Sequence, residues 1–207
     1  MHTTTRPSTV QRLAVPADVP VVARVLADAF ADDPVFRWCL PDDRRRAEVL
    51  PEVFWLVADA VVPHGASTVS LDGEAAALWP PAGVAPVAPD DAARFEGALA
   101  ELLGADGERT FAVMALLDEH HPTEPNRFLW FIGVAAHGQG RGTGSAMLAE
   151  ALAQCDRDGT PAYLDATSED NRRLYERHGF EVVARRSVAG SPPLYPMWRS
   201  PRVAARK

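Results

Sequence analysis

Read as a pattern of apolar and polar positions, the chain opens with a short apolar stretch, Val10 to Ala14, that fits a strand, and then shifts to a helical period. Ala17-Asp18-Val19-Pro20 caps a helix carrying Val21, Val22, Val25, Leu26 and Phe30, and Asp32-Asp33-Pro34 should end it. A second helix starts near Pro41-Asp42-Asp43, runs through Leu50, Phe54, Trp55, Val57 and Val61, and stops at Pro63-His64-Gly65. Two short strands follow, Ser67 to Leu71 and Ala75 to Trp79, joined by the hairpin-type turn Asp72-Gly73. A helical insertion of about residues 83–125 then interrupts the strands, with helices over Asp90 to Leu103 and Glu108 to His120. Beyond it come a strand, Arg127 to Val134, a helix, Gly142 to Arg157, a strand, Pro161 to Asp165, and a helix, Glu169 to His178. Phe180 to Ser187 and Leu194 to Trp198 should close the sheet. The order predicts a single α+β domain over 1–207, with ends 1–9 and 200–207 frayed.

The junction of the Arg127 to Val134 strand with the following helix carries the first chemistry. Gln139-Gly140-Arg141-Gly142-Thr143-Gly144 is a glycine turn leading into a helix N-terminus, with Ser145 in its first turn. Free amides there point outward with partial positive charge, and glycines let a phosphate approach without meeting a Cβ. The loop has no Lys beside its last Gly, as a nucleotide-triphosphate loop needs, and the spacing G-x-G-x-x-G fails from both Gly138 and Gly140. Only about sixty residues follow Gly144, too few to complete a dinucleotide sheet. The pattern predicts a cradle for the diphosphate of some other nucleotide.

A second segment, Asn171-Arg172-Arg173-Leu174-Tyr175-Glu176-Arg177-His178-Gly179-Phe180, reads as a short helix. Thr167-Ser168-Glu169-Asp170 offers caps and first-turn acids, and Gly179 is the expected residue just past the helix end. Together the two segments resemble the GNAT acyl-CoA transferases: Gln-x-x-Gly-x-Gly is similar to their pyrophosphate loop, and Asn, Tyr and Gly-Phe to their second hallmark. From Val10 to Trp198 the layout resembles the puromycin N-acetyltransferase-like branch. Ala27-Asp28-Ala29-Phe30-Ala31-Asp32-Asp33-Pro34, Trp79-Pro80 and His121-Pro122-Thr123-Glu124-Pro125 carry that likeness. Ala136, where a proline is common, and Thr143, where an aliphatic residue is common, depart from the pattern without removing a phosphate-facing amide.

The resemblance implies a mixed, mostly antiparallel twisted sheet flanked by helices, acetyl-CoA as donor, and acetyl transfer to a primary amine. It implies contacts to coenzyme A from Val134, Ala135, Ala136, Gln139, Gly140, Arg141, Gly142, Thr143, Gly144, Ser145 and Asn171, with a backbone N–H near Val134 polarising the thioester. Tyr175 would protonate the departing thiolate. For the base, Glu119, Glu124, His120, His121, Asp165 and a water chain all stand open, and each acid is equally a solvated loop residue. Phe36, Trp38 and Trp79 are the expected acceptor walls, and Asp32 and Asp33 serve either an ammonium group or a turn.

Composition narrows the rest. A net charge of -7 without a basic stripe argues against nucleic acid, and the longest apolar run, around Phe128 to Ala136, is too short for a membrane span. The 21 Lys and Arg residues include one lysine, Lys207, so Schiff-base chemistry is not expected. Cys39 and Cys155 fit no metal spacing, and His120-His121 belongs to no H-E-x-x-H pattern, so no metal is expected. No basic-apolar leader precedes Val10, which places the expectation in the cytoplasm, as a monomer or homodimer. The acceptor stays open between an aminonucleoside or other small amine and a peptide or protein N-terminus, and a non-catalytic acyl-CoA sensor is the alternative to an enzyme.

Overall fold

A computed structural model describes residues 10–202. Its elements in chain order are β1 (Gln11–Leu13), α1 (Val19–Phe30), α2 (Pro34–Cys39), α3 (Asp43–Val61), β2 (Thr68–Ser70), β3 (Ala75–Leu78), α4 (Pro89–Leu103) and α5 (Gly107–Glu119). There follow β4 (Arg127–Leu129), β5 (Phe131–Val134), α6 (Thr143–Asp158), β6 (Ala162–Ala166), α7 (Glu169–Arg177), β7 (Glu181–Val182) and β8 (Tyr195–Arg199). The strands form two sheets, ordered β1-β2-β3-β5 and β4-β6-β8-β7, in which only β4 and β6 run parallel. The α+β class and the mostly antiparallel pairing are as the sequence predicts.

Alternation along β3 shows how the layers are filled. Ala76 and Leu78 face the core made with α1, α3, α4 and α5, whereas Ala75, Ala77 and the following Trp79 face α6 and Tyr175. The apolar face of α6, Met147, Leu148, Ala151, Leu152 and Cys155, is buried. At β5, a Cβ on Gly133 would stand 2.6 Å from the Ala29 Cβ, so only glycine lets α1 lie this close to the strand. No helix among the described residues is long and apolar enough to cross a membrane.

Four expectations change. Asp32-Asp33-Pro34 ends α1 but also starts α2, because the Asp33 carboxylate accepts from the Val35 and Phe36 N–H groups at 2.9 and 3.3 Å and Pro34 occupies the first helical turn. The strand expected over Arg127 to Val134 is broken at Trp130. Its N–H donates to the Leu78 carbonyl although Leu78 is already opposite Phe131, so two residues face one in a β-bulge. Phe180 to Ser187 has strand pairing only over Glu181–Val182 and again at the Arg186↔Leu194 bridge, since Pro196, opposite Val183, has no N–H to return and the register shifts by one residue before the bridge. The C-terminal segment is held as far as Arg202, whose N–H donates to Asp156 at 2.7 Å, while 1–9 and 203–207 lie outside the described residues.

Candidate active site

The bulge at Trp130 is where the two sheets part. Before it, β4 pairs with β6 as far as Leu129↔Leu164; after it, β5 pairs with β3 instead, leaving the far edge of β5 unpaired opposite the end of β6. The direction of the free groups follows from the ladder. Ala135 donates to the Glu74 carbonyl at 2.8 Å, so the antiparallel alternation turns Gly133 toward β3 and Ile132 and Val134 toward the gap. The Val134 carbonyl is taken by Gln139 Nε2 at 3.0 Å, which folds the following loop back on the strand. The Val134 N–H is directed into the gap.

Immediately after β5 comes the glycine loop. Gly140 and Gly142 have φ of +74° and +87°, a region that favours glycine, and nothing lies within 4 Å of where a Cβ would sit on either. Among the described residues the N–H groups of Gly140, Arg141, Gly142, Thr143, Gly144 and Ser145 have no protein partner, as expected for a loop ending in the open first turn of a long helix. Such a row of amides has the charge and openness to hold a phosphate group. Ala135 and Ala136 differ: their N–H groups are occupied by Glu74 O and by Asp28 Oδ2, the latter at 2.6 Å, so both brace the loop against β3 and α1. His137 adds a 2.9 Å contact to Glu74. A cleft of about 360 Å³ lined by Arg141, Gly142 and Thr143 and by Ser70 and Asp72 flanks the loop on the hairpin side.

Beneath the loop, Ser145 Oγ lies 2.7 Å from His178 Nε2. Burial and the nearby Arg177, Arg199 and Arg202 hold that imidazole below its ordinary pKa, so it is neutral at pH 7. Arg199 is buried, forks onto Asp156 at 2.8 Å and donates to the His178 carbonyl at 3.0 Å, tying the end of α7 to α6. The helix forms as predicted: Ser168 Oγ accepts from the Asn171 N–H at 3.2 Å, acids fill the first turn, and Gly179 at φ +89° ends it. Asn171 is half-buried in the first turn.

Tyr175 is buried on the inner face of α7, its ring 6.0 Å from Phe180, and its Oη has no hydrogen-bond partner among the described residues. Burial, aided by the charge of Asp33, pushes its phenol above the ordinary tyrosine range, so it keeps its proton at neutral pH. Asp33 is itself buried, and its second carboxylate oxygen accepts from Thr167 Oγ1. With Val35 and Phe36 on the first oxygen, Asp33 is a lock between the α1–α2 corner and the end of β6, a role that Asp-Asp-Pro alone does not reveal.

The other sequence candidates separate. Asp165 lies one residue past the last β4–β6 pair, and Tyr163 Oη donates to it at 2.8 Å. Desolvation raises its pKa to about 6, moderated by the Tyr163 hydrogen bond and by Arg186. Glu119, Glu124 and His121 are exposed, His121 standing edge-on to Phe128 and Tyr163, and His120 Nδ1 is engaged with the Leu116 carbonyl at 2.9 Å. Phe36 joins Phe30, Phe54 and Phe131 in an aromatic cluster. Trp38 is half-buried under the Arg109 guanidinium, and Asp32 is exposed beside Arg37. Trp79 is a correction: fully buried in the α6 layer beneath Arg127, it is core and lines no acceptor face. Sequence reading missed the Tyr163–Asp165 pair, although the i, i+2 spacing puts both on one strand face.

Solved structures share this architecture. A protein described as histone acetyltransferase HPA2 and related acetyltransferase, from Corynebacterium glutamicum, superposes with a TM-score of 0.67 at 23% identity, over 95% of this chain and 98% of that one. Arylalkylamine N-acetyltransferase 2 from Aedes aegypti does so at 0.61 and 12% identity, over 93% and 98%. An agmatine N-acetyltransferase gives 0.62 and 15%, over 92% and 98%. The model of the acetyltransferase (GNAT) family matches residues 66–180, from the β2–β3 hairpin to the end of the Tyr175 helix, the stretch that contains the bulge, the amide row and both edges of the gap. The chain belongs to the GNAT acetyltransferase family, whose members are acetyl-CoA-dependent N-acetyltransferases.

Proposed function

We propose that the protein moves the acetyl group of acetyl-CoA to the primary amine of a small molecule with an apolar body. The observation that carries this reading is two sets of unpartnered backbone donors on one stretch of chain, the gap-facing Val134 N–H and the amides of Gly140 through Ser145, with the bonded turn of Ala135 to Gln139 between them. The coenzyme fits both: its diphosphate suits the amide row, and its pantetheine arm, itself an amide chain, can add to the β5 edge as an extra strand. Bound there, it supplies an activated acyl group. The Val134 N–H is aimed to stabilise charge on the thioester oxygen, and Tyr175 Oη is free to give its proton to the departing sulfur. Asn171, half-buried in the first turn of α7, is placed to hydrogen-bond the arm.

The face of β6 that carries Asp165 and Tyr163 also carries Phe128 across the parallel pair, and half-buried Trp130 and Phe131 continue it, with Phe36 behind. Aromatic walls with one carboxylate suit an amine on a flat or apolar body. Neighbours described as arylalkylamine and agmatine N-acetyltransferases support a small-amine acceptor, and the resemblance of the sequence to the puromycin N-acetyltransferase-like branch adds an aminonucleoside to the candidates. The test is release of free thiol from acetyl-CoA across an amine panel that includes puromycin, arylalkylamines, agmatine and a peptide N-terminus. Turnover of a small amine, with the peptide much slower, is the expected result. Absence of thiol release with every amine, from folded protein, contradicts it.

A further inference from the structure

We propose that Asp165 is the general base that takes the proton from the acceptor amine, and that Tyr163 positions it. The inference rests on the acetyl-transfer reading and adds to it a residue for the one step that reading leaves unassigned. Three geometric facts point to this carboxylate. It stands at the apex of the gap, one residue beyond Leu129↔Leu164 and level with the Trp130 bulge, where β4 and β6 part and from which β5 leads to its gap-facing N–H groups at Ile132 and Val134. Its side chain lies on the face shared with Tyr163, away from Ala162, Leu164 and Ala166, which pack in the α6 layer with Tyr175. Its Oδ1 is fixed by Tyr163 while Oδ2 has no hydrogen-bond partner among the described residues.

The competing acids fail on the same grounds. Both oxygens of Asp33 are occupied, Glu119 and Glu124 are exposed, and the His120 ring is bound to its own helix. The groups around Asp165 are Tyr163 on its own strand, Arg186 from the segment before β8, His121 packed edge-on against Tyr163, and Asp33, reached through Thr167 two residues on. Across the antiparallel pair β8 offers the apolar Pro196. Partial burial lifts the carboxylate toward neutrality, which makes it a better proton acceptor at pH 7 than an exposed acid.

The protons balance. A bound ammonium gives one proton to Asp165 Oδ2, and the freed nitrogen pair forms the C–N bond as the C–S bond breaks. Tyr175 gives its proton to the sulfur and regains one from the nitrogen of the new amide. Asp165 releases its proton to solvent, so two protons leave the ammonium, one ending on the thiol and one in water.

The experiment is the pH dependence of kcat/KM for the best amine of the panel, in wild type, Asp165→Asn and Tyr163→Phe, with acetyl-CoA affinity measured alongside by calorimetry. The wild type should gain activity as pH rises through about 6. Asp165→Asn should lose that limb and about 100-fold in kcat with donor affinity intact, and the defect should shrink for amines of low pKa. Tyr163→Phe removes the hydrogen bond that favours the ionised form, so its limb should move to higher pH, a displacement that a merely packing role would not produce. Should Asp165→Asn not fold, residue-assigned carboxyl carbon resonances of wild-type protein labelled at aspartate should show the Asp165 carboxyl, as distinct from the buried Asp33, titrating near pH 6. An unchanged limb in Asp165→Asn, a limb unmoved in Tyr163→Phe, or an Asp165 carboxyl that does not titrate in that range overturns the proposal. Those outcomes differ from failure of the functional reading, in which the wild type itself releases no thiol with any amine.

Discussion

Replacement of Tyr175 by phenylalanine should lower kcat by about 100-fold at saturating acetyl-CoA while leaving its affinity and the fold unchanged. The ring is almost wholly buried, against Phe180, and phenylalanine fills the same space, so the packing of α7 is conserved. The hydroxyl makes no protein hydrogen bond among the described residues, so its removal leaves no donor or acceptor stranded. What is lost is a phenol held in the protonated state by burial and by Asp33. A thiolate expelled into the same desolvated gap is a strong enough base to take that proton, and without it the amine leaves in preference to the sulfur. Acyl donors whose thiols are more acidic need less help, so the defect should narrow with them. Steady-state rates with two such donors, beside circular dichroism to check the fold, decide the matter; full turnover by Tyr175→Phe removes the assignment.

The second large effect is on stability, with no turnover involved. Asp165 ionises at about 6 in the folded chain against an ordinary carboxylate value of 3.8, so the native state binds its proton more tightly than the unfolded state does. The sign follows: the contribution is fully present below the unfolded value and is lost as pH rises through about 6. At neutral pH the ionised group therefore costs stability, on the order of 2 kcal/mol after allowance for its partial exposure. Asp165→Asn keeps an acceptor for Tyr163 and removes the charge. Its denaturation midpoint should match wild type near pH 4 and exceed it at pH 7.5. Comparison with wild type at each pH is needed because other acids act the opposite way: Arg12 holds Asp18 down to about 2, and Asp156 is lowered by Arg199. A variant less stable than wild type at pH 7.5 contradicts the prediction.

The fold was largely legible because its signals are local. Period located α1, α4, α5 and α6, period with a cap located α3 and α7, and the Asp72-Gly73 turn, with Gly73 at φ +73°, placed the hairpin, although Asp18, expected to cap α1, instead binds Arg12 and the Val15 N–H. The amide row was readable for the same reason: a glycine turn before a long helix leaves its N–H groups free whatever surrounds it. What stayed hidden depends on contacts across the chain. The bulge at Trp130 arises because one strand must serve two partners, β6 and then β3, and nothing in Phe128 to Val134 marks the change. Trp79 read as an acceptor wall because strand alternation gives a side but not which layer lies on it. Asp33 and Asp165 are both acids beside turns in the sequence. Only the fold shows one with its oxygens occupied and the other half-buried with an oxygen to spare.

In the proposed function the gap between β5 and β6 joins three things that the sequence keeps apart: donors on a strand edge, the protonated Tyr175 phenol of the α6 layer and the Asp165 carboxylate on the opposite face of β6. All of them depend on where the donor substrate is held. Titration of coenzyme A into the folded protein by calorimetry, with Gly142→Val beside it, tests that placement most directly. One site per chain is expected for the wild type and at least tenfold weaker binding for the variant, because valine does not favour the φ of +87° that shapes the amide row at this position. No binding by the wild type, or equal affinity in Gly142→Val, would contradict it.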